Sequence, residues 1–311
     1  MDKNSRIYVS GHKGMVGSAV VKLLSEKGYK NLFLIDHNRL DLRDLSAVER
    51  FMKKESPEYV FHFAAKVGGI KANIANPAPF LYDNLLITAN IIHASYKYNV
   101  KKLLNLGSSC IYPRECPQPM KEEYLLTGKL EPTNEGYALA KIIGLKLCEL
   151  YNKEYFTNYI SLMPPNLYGP NDNFNPDSSH VVAGLISKFV KAKKENLSCV
   201  EIWGSGNARR EFLYVEDLAK ACIYFINNYD AKDLPSFLNI GFGSDISIKE
   251  LVELIKGAID YRGDISWNIN MPDGMPKKLL DITQSKQFGW EAEVSLSDGI
   301  SRTIDWYVNN L

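Results

Sequence analysis

The sequence lacks the features by which secreted, metal-binding and membrane proteins are usually recognised. Its 311 residues include only five cysteines, which form no Cys-x-x-Cys pair and no Cys/His cluster at metal-ligand spacing. Their odd number and scatter argue against a disulfide framework, so we expect a reducing, cytoplasmic environment and no metal site. No apolar run is long enough to span a membrane, and the first residues enter a strand pattern rather than a signal peptide.

An excess of charge of one sign is also missing. The chain has 37 basic and 36 acidic residues. Proteins that bind nucleic acids or anionic membranes usually carry a clear basic excess, so we expect neither partner. An apolar content of 45% is instead ordinary for a folded globular chain.

Short apolar segments alternate with helical patterns along the first half of the chain. Strand patterns at 6–10, 31–36, 59–65, 102–107 and 158–163 are separated by helical patterns, notably at 80–99 and 134–154. Apolar strands between amphipathic helices are typical of a parallel sheet covered on both faces. We therefore predict an α/β fold with a Rossmann-type doubly wound parallel sheet and a smaller α/β substrate-binding domain.

The alternation loosens after residue 165. Residues 164–180 are rich in Pro, Asn and Gly and predict loops. We predict a dinucleotide-binding domain at 1–165, joined by parts of 199–245, and a substrate domain formed mainly by 166–311.

A glycine-rich turn joins the first strand pattern to the first helical pattern. Gly11, Gly14 and Gly17 form a GxxGxxG motif, in which glycines allow a tight turn and let the backbone approach a pyrophosphate at the helix N-terminus. The motif alone is weak, but its place after the first strand of an alternating chain indicates a dinucleotide cofactor.

The choice between NADPH and NADH stays open at this point. Asp36 ends the second strand pattern about 20 residues beyond the glycines, where a carboxylate commonly binds the ribose hydroxyls of NAD. Lys13, His37 and Arg39 oppose that interpretation, because their positive charges suit the 2′-phosphate of NADP.

A serine, a tyrosine and a lysine make up a candidate catalytic set. Tyr137 and Lys141 are four residues apart on one predicted helix, where the ammonium is expected to lower the tyrosine pKa for general acid catalysis. The Tyr98–Lys102 pair has the same spacing but spans a helix end and a strand start, so it serves as an internal control. Ser108 follows the fourth strand pattern, at the edge where open α/β sheets bind ligands.

With these motifs the chain resembles the extended short-chain dehydrogenase/reductase family, and within it the GDP-L-fucose synthase group, over essentially its whole length. The matching segments are GHKGMVGSA, AAKVGGI, LGSSCIYP, EPTNEGYALAKIIG, NLYGPNDNF, WGSGNARREFLYVEDLA and PDGMPKKLLD. The resemblance implies an NADPH-dependent reductase of a GDP-linked 4-keto sugar at carbon 4, coupled to epimerisation at carbons 3 and 5.

The resemblance also implies roles for a cysteine and a histidine. Related dehydratases tend to carry an acid at the position of Cys110, so a cysteine there argues against dehydration. In the GDP-L-fucose synthase group, the residues matching Cys110 and His180 are assigned to epimerisation. This role is chemically coherent, because the carbons beside a ketone have acidic C–H bonds and deprotonation gives an enolate. Ser108, Tyr137 and Lys141 would stabilise this enolate, while Cys110 removes a proton and His180 returns one.

The remaining predicted contacts follow the same resemblance. Asp41 and Leu42 are expected near the adenine. The other predicted cofactor contacts are Gly11, Lys13, Gly14, Met15, Val16, Gly17, Asp36, His37, Arg39, Ala64, Ala65, Leu106, Gly107, Lys141, Pro164, Asn166, Leu167 and His180. The predicted substrate contacts are Ser109, Asn166, Lys188, Trp203, Arg210, Asp273 and Lys278, with Trp203 stacking on guanine and Lys188 and Arg210 near the diphosphate.

Several positions depart from the pattern of the group. Relatives often carry Thr or Ser at Pro165, Pro at Gly136 and at Ala183, and Arg at Lys188. Because these positions line or support the substrate loop, the sugar itself can differ. Asp36 is a further departure, and it leaves NADH open beside NADPH.

These departures keep alternative functions open. The first is a C4-reductase that acts on a GDP-4-keto-heptose for a bacterial capsule, while another protein performs the epimerisation. More distant alternatives are a nucleotide-sugar 4-epimerase or dehydratase, and a non-catalytic sensor. As in the family, the helices at 80–99 and 134–154 are expected to pair with their counterparts in a homodimer.

Overall fold

The computed structural model describes residues 1–175, 178–271 and 273–311. Its strands are β1 (Ile7–Ser10), β2 (Leu32–Phe33), β3 (Tyr59–His62), β4 (Lys102–Leu106), β5 (Tyr159–Met163), β6 (Asn166–Tyr168), β7 (Cys199–Trp203), β8 (Arg209–Arg210), β9 (Phe212–Tyr214), β10 (Leu238–Asn239), β11 (Ile246–Ser247), β12 (Asp264–Asn268) and β13 (Lys277–Lys278). Its helices are α1 (Met15–Glu26), α2 (Leu45–Glu55), α3 (Ile70–Ala75), α4 (Pro77–Lys97), α5 (Glu135–Tyr155), α6 (Val181–Lys194), α7 (Val215–Asn228), α8 (Ile248–Ile259), α9 (Thr283–Gln287) and α10 (Leu296–Asn309).

A six-stranded parallel sheet forms the centre of the molecule and confirms the predicted fold class. Its strand order is β2-β1-β3-β4-β5-β10. The chain runs from β1 to β2 in one direction and then returns to place β3 on the other side of β1. This reversal opens a crevice beyond the carboxyl ends of β1 and β3, where such sheets bind ligands.

The alternation of side chains in β1 shows how both faces of the sheet are covered. Ile7 and Val9 pack with α1 and α7 on one face, through residues such as Val20 and Phe225. Tyr8 points to the other face and packs with α2, α4 and α5. Successive residues of a strand point to opposite faces, so an apolar run is what a sheet buried on both sides requires.

The later segments divide between the two parts of the molecule. Helix α7 and strand β10 pack on and extend the main sheet. Strand β7 instead pairs with β12, and α6, α8 and α10 enclose a second core that includes Phe189 and Ile255. The short strands β8, β11 and β13 form a small sheet between these parts of the chain.

The second strand is shorter than predicted. The sequence pattern at 31–36 predicted a strand that ends at Asp36, but the paired segment is only Leu32–Phe33. This strand lies at the sheet edge and pairs only with β1, through Ile7 and Tyr8. Asp36 therefore lies in the loop beyond the strand.

Two further features concern metal binding and membrane spanning. Within the described ranges, no group of three or more His, Cys, Asp and Glu residues is arranged to hold a metal ion. Over the same residues, no helix combines the length and apolar character needed to cross a membrane.

Candidate active site

The glycine turn brings the end of β1 against the end of β3. Gly11 has a φ of 71°, and a side chain there would come within 2.8 Å of the Ala64 backbone nitrogen. A side chain at Gly17 would collide with the Gly11 carbonyl oxygen. Both positions therefore require glycine.

The first turn of α1 has no side-chain cap. Gly14 is its N-cap residue, so the N–H groups of this turn, which includes Met15 and Val16, receive no side-chain acceptor. Free N–H groups and the helix dipole favour a phosphate at this end. The turn therefore fits the diphosphate of a dinucleotide.

The buried His62 side chain binds Ser10, the residue directly before this turn. His62 was not among the predicted site residues. His62 Nδ1 lies 2.9 Å from Ser10 Oγ, and its Nε2 lies 3.3 Å from Thr88 Oγ1. Ser10 Oγ accepts hydrogen bonds from the backbone N–H groups of Phe63 and Ala64. Burial lowers the pKa of His62 to about 3, so the ring is neutral at physiological pH. The one sign in the sequence that His62 has a special role was its position as a polar residue in the apolar run YVFHFAA.

The loop after β2 combines opposite charges. Lys13 Nζ lies 2.8 Å from Asp36 Oδ2, and His12 Nε2 lies 3.3 Å from Asp36 Oδ1. The hydrogen bond from Lys13 is the main reason why the pKa of Asp36 is lowered. His37 and Arg39 are exposed beside it. The Lys13 ammonium and the His12 ring thus contact the one carboxylate that favoured NADH.

The two residues predicted near the adenine have different environments. Asp41 is bound by the side chain of Arg43, with Nη2 2.8 Å from Oδ2, and this pairing lowers its pKa to about 2. Leu42 is buried among the side chains of α2 and α4. Of the two, only Leu42 offers an apolar surface.

Ser108, Tyr137 and Lys141 are held by different elements at the end of β4. Ser108 caps a short 3₁₀ turn at Ser109–Ile111, because its Oγ accepts the Cys110 N–H at 3.3 Å. Tyr137 and Lys141 share one face of α5, with Lys141 Nζ 5.7 Å from the centre of the tyrosine ring. The lysine donates a 2.7 Å hydrogen bond to the Leu106 carbonyl oxygen.

The charges in this set differ from the sequence-based expectation. The expectation was that Lys141 lowers the tyrosine pKa, but burial raises the pKa of Tyr137, and the potential charge of Cys110 adds to this. Burial likewise lowers the pKa of Lys141 to about 8, against the opposing effect of Cys110. Desolvation outweighs the tyrosine–lysine interaction because both groups lie inside the protein. Tyr137 therefore keeps its proton, as a general acid must.

The Cys110 thiol faces two nitrogen donors. Asn134 Nδ2 lies 3.2 Å from Cys110 Sγ, and Lys278 Nζ lies 3.6 Å from it. Asn134 was not among the predicted site residues, although it stands inside the EPTNEGYALAK segment. Lys278, predicted as a substrate contact, lies against the sulfur. This arrangement can bind a thiolate and suits a base.

His180 lies on a different element, directly before α6. Surrounding protein lowers the pKa of its imidazole, while the residue keeps an exposed surface. A neutral, accessible imidazole can accept a proton at neutral pH and, once it carries that proton, can give it to an enolate carbon.

Hydrogen bonds join the backbone beyond the carboxyl ends of β4 and β5. The Ser109 N–H donates to the Pro164 carbonyl oxygen at 2.9 Å, and the Gly107 N–H donates to Leu162. Asn166 Nδ2 donates to the Glu211 carbonyl oxygen at 3.1 Å. The predicted cofactor contacts Ala65, Leu106, Gly107, Pro164, Asn166 and Leu167 stand at or just beyond the ends of β3, β4 and β5, as does the predicted substrate contact Ser109.

Predicted substrate residues gather on the second part of the molecule. Lys188 Nζ lies 5.5 Å from the centre of the Trp203 ring and donates to the Glu201 carbonyl oxygen at 3.1 Å. Trp203 is 48% exposed, so its ring remains available for stacking. Burial lowers the pKa of Lys188.

Arg210 and Asp273 belong to the same region but have different surroundings. Arg210 Nη2 donates to the Asp273 carbonyl oxygen at 3.1 Å, and burial lowers the pKa of the guanidinium. The Asp273 carboxylate accepts hydrogen bonds from Ser205 N at 2.8 Å and Ser205 Oγ at 2.7 Å. Asp273 therefore shapes the turn after Trp203 with its side chain.

Comparisons with known proteins agree with this geometry. Residues 7–241 match the NAD dependent epimerase/dehydratase family. The chain is 49% identical to GDP-L-fucose synthase 1 of Arabidopsis thaliana over 310 residues, which cover 100% of this chain and 95% of the relative.

Two solved structures are similar throughout. A GDP-6-OMe-4-keto-L-xylo-heptose reductase from C. jejuni superposes with a TM-score of 0.95 at 38% identity, covering 100% of this chain and 99% of the other. A GDP-mannoheptose C4 reductase from Campylobacter jejuni with NADP bound gives a TM-score of 0.92 at 40% identity and 99% coverage of both chains. The chain belongs to the NAD dependent epimerase/dehydratase family, in its GDP-L-fucose synthase group.

Proposed function

We propose that this chain is an NADPH-dependent reductase that converts the C4 ketone of a GDP-linked sugar to an alcohol, after epimerising carbons 3 and 5. NADPH supplies the hydride to carbon 4. Tyr137 gives its proton to the ketone oxygen, and Ser108 and Lys141 stabilise the negative charge that develops there. The product is the sugar alcohol, with NADP⁺ released.

The observation that carries the epimerase step is the environment of Cys110. Its sulfur accepts from Asn134 and lies beside the Lys278 ammonium, and its potential charge affects the pKa values of Tyr137 and Lys141. A base at this place can remove a proton next to the ketone while the same donors hold the enolate oxygen. His180 is proposed to return a proton from the opposite face. One site then serves both half-reactions.

The residues on the substrate side are suited to bind a nucleoside diphosphate. Lys188 and Arg210 supply positive charge, and the exposed Trp203 face can stack on the guanine. We also propose that residues 1–165, with α7 and β10, bind the cofactor, while most of the remainder binds the sugar nucleotide.

A second candidate differs in the sugar and in the epimerisation. One of the two similar solved structures, with a TM-score of 0.95, is named a GDP-6-OMe-4-keto-L-xylo-heptose reductase. The resemblance to the group marks Gly136, Pro165, Ala183 and Lys188 as departures, and we propose that these positions shape the substrate loop. The alternative is therefore C4 reduction alone, on a GDP-4-keto-heptose for a capsular polysaccharide.

Deuterium uptake without reductant distinguishes these functions. The enzyme is incubated in D₂O with GDP-4-keto-6-deoxymannose and, separately, with GDP-4-keto-mannoheptose, and deuterium at carbons 3 and 5 is measured. Uptake that is lost in Cys110→Ser identifies an epimerase with Cys110 as the base. No uptake with either sugar, but NADPH-dependent reduction of a pre-epimerised ketone, identifies a reductase alone.

We further propose that the enzyme is a cytoplasmic homodimer. All five cysteines lie in the described part of the chain and are free thiols, as a reducing compartment allows. Tyr96, Tyr151 and Tyr155 form an aromatic cluster on α4 and α5, with the Tyr96 and Tyr155 rings 4.3 Å apart. Sedimentation of Tyr155→Ser against the unaltered chain tests this face, and an unchanged mass would place the interface elsewhere.

A further inference from the structure

A buried carboxylate lies behind the Cys110 site and has no assigned role. Glu211 has no exposed surface. Its Oε1 accepts the Gly243 N–H at 2.7 Å, and its Oε2 accepts the Leu280 N–H at 2.8 Å. Its own backbone N–H donates to the Lys278 carbonyl oxygen at 3.0 Å. A buried carboxylate is tolerated only where such donors satisfy it, so these contacts hold Glu211 and the segment 277–280 together.

Glu211 thereby contributes to the register of β13 on β8, together with the backbone hydrogen bond from Arg209 N–H to the Pro276 carbonyl oxygen. In this register Lys277 is paired with Arg209, and Lys278 with Arg210. Strand β13 has only two residues. On its other side, Leu279 bonds to Met120 and Gln118. Towards β8, the Glu211 carboxylate binds the Leu280 N–H, and the Lys277–Asp245 ion pair is a second tie, since Asp245 also binds Arg209.

The register decides which of two neighbouring lysines reaches the thiol. Lys277 Nζ lies 2.8 Å from Asp245 Oδ2, whereas Lys278 Nζ lies 3.6 Å from Cys110 Sγ. Adjacent residues of a strand point to opposite faces, so a shift by one residue would exchange the two lysines. A backbone clamp at Leu280, two residues away, opposes that shift.

We propose that Glu211 is a positioning residue that holds the Lys278 ammonium against the Cys110 thiol. The inference rests on the proposed role of Cys110 as the base of the epimerisation. Glu211 touches neither substrate nor cofactor and acts through the backbone of the segment 277–280. Its removal lets Lys278 leave the sulfur.

Other charged or titratable groups also act on Cys110. A charge on Cys110 affects the pKa values of Tyr137 and Lys141 on α5 and of Arg210 on β8, so these groups interact electrostatically with the thiol. These groups remain in place when Lys278 is altered. Burial raises the pKa of Glu211 itself to about 7, so comparisons are made above that pH, where the carboxylate is charged.

The test is the rate at which iodoacetamide alkylates Cys110 in the full-length protein, followed by peptide mass spectrometry from about pH 7.5 upward. This readout reports the thiolate and needs neither sugar nor cofactor. We expect Lys278→Met to slow the reaction roughly 10-fold at about pH 7.5, because an ammonium beside the sulfur is lost. Lys277→Met is the matched control and should leave the rate unchanged.

Glu211→Gln should slow alkylation in the same direction. Its amide oxygen can accept from only one of Gly243 and Leu280, and its N–H₂ group then faces the other backbone N–H without an acceptor. Combined with Lys278→Met it should add no further loss, since both changes remove the same interaction. Glu211→Asp, whose shorter side chain reaches only one of the two amides, should fall between Glu211→Gln and the unaltered chain.

Three results would overturn the proposal. The first is an alkylation rate in folded Glu211→Gln equal to that of the unaltered chain. The second is fully additive losses with Lys278→Met. The third is failure of both Glu211 variants to fold, which would make the carboxylate a structural residue only. If alkylation behaves as expected but no deuterium enters the sugar, the positioning role stands and the proposed epimerase function fails.

Discussion

The cofactor side and the substrate side of the cleft are built in different ways. The cofactor side uses the ends of buried parallel strands in one six-stranded sheet, with Gly11 after β1, Ala64 after β3 and Ser108 after β4. The substrate side uses small sheets of two or three strands and the turns between them, and its polar side chains often bind backbone atoms. The rigid side fixes the chemistry, and the looser side leaves room for the choice of sugar to change.

The largest expected effect is on the rigid side. Tyr137→Phe should lower the rate of C4 reduction by about 10²–10⁴-fold, because the buried general acid is lost. NADPH binding, measured by fluorescence titration, should be unchanged. Tyr98→Phe, in the second pair of the same spacing, is the control and should keep full activity. A Tyr137→Phe enzyme of normal rate would show that another group protonates the ketone oxygen.

The pH dependence of reduction provides the next test. The pKa of Lys141 is lowered to about 8, so its ammonium is present below that pH and lost above it. We expect kcat for C4 reduction at saturating NADPH to fall as the pH rises through about 8. Lys141→Arg should remove this decline wherever the variant is active, because arginine stays charged. A flat profile up to about pH 10 would contradict an electrostatic role for Lys141.

A substitution on the substrate side should separate binding from chemistry. Trp203→Ala should raise KM for the GDP-sugar roughly 10-fold, in line with the usual strength of base stacking, and leave kcat nearly unchanged. Steady-state kinetics with a GDP-linked ketone measures both values. A large loss of kcat with unchanged KM would show that Trp203 supports the reacting centre instead.

The smallest expected effect concerns cofactor choice. Asp36→Asn removes the carboxylate that pairs with Lys13 and leaves the lysine available for a 2′-phosphate. We expect the preference for NADPH over NADH to rise by about two- to fivefold, as befits an exposed ion pair. The ratio of kcat/KM values for the two cofactors measures it. A fall in that ratio would mean that Asp36 helps bind NADPH.

Much of the cofactor side could be predicted because its signals are local. The Gly11–Gly17 turn and the Tyr137–Lys141 spacing each lie within one short segment. Their positions depend on a helix period or a tight turn rather than on distant contacts. The protonation of Tyr137 and Lys141 could not be predicted from spacing, because desolvation depends on all the atoms packed around the pair.

The substrate side shows the converse. The sequence suggested Lys278 as a sugar-nucleotide contact, and it did not show that Lys278 also lies against Cys110, which is 168 residues away along the chain. Asn134 and Glu211 were not identified as site residues, since nothing in their own segments marks what they touch. Contacts of this kind depend on strand register and on packing between distant segments.

The sequence by itself determined the class of fold, the glycine turn and the pairing of Tyr137 with Lys141 on one helix face, because short-range periodicity and backbone geometry encode them. Only the tertiary structure decided that burial raises the pKa of Tyr137, that Asp36 pairs with Lys13, and that Lys278 rather than Lys277 faces the Cys110 sulfur. The physical reason is that desolvation and strand register are properties of the packed chain, set by residues far apart in sequence.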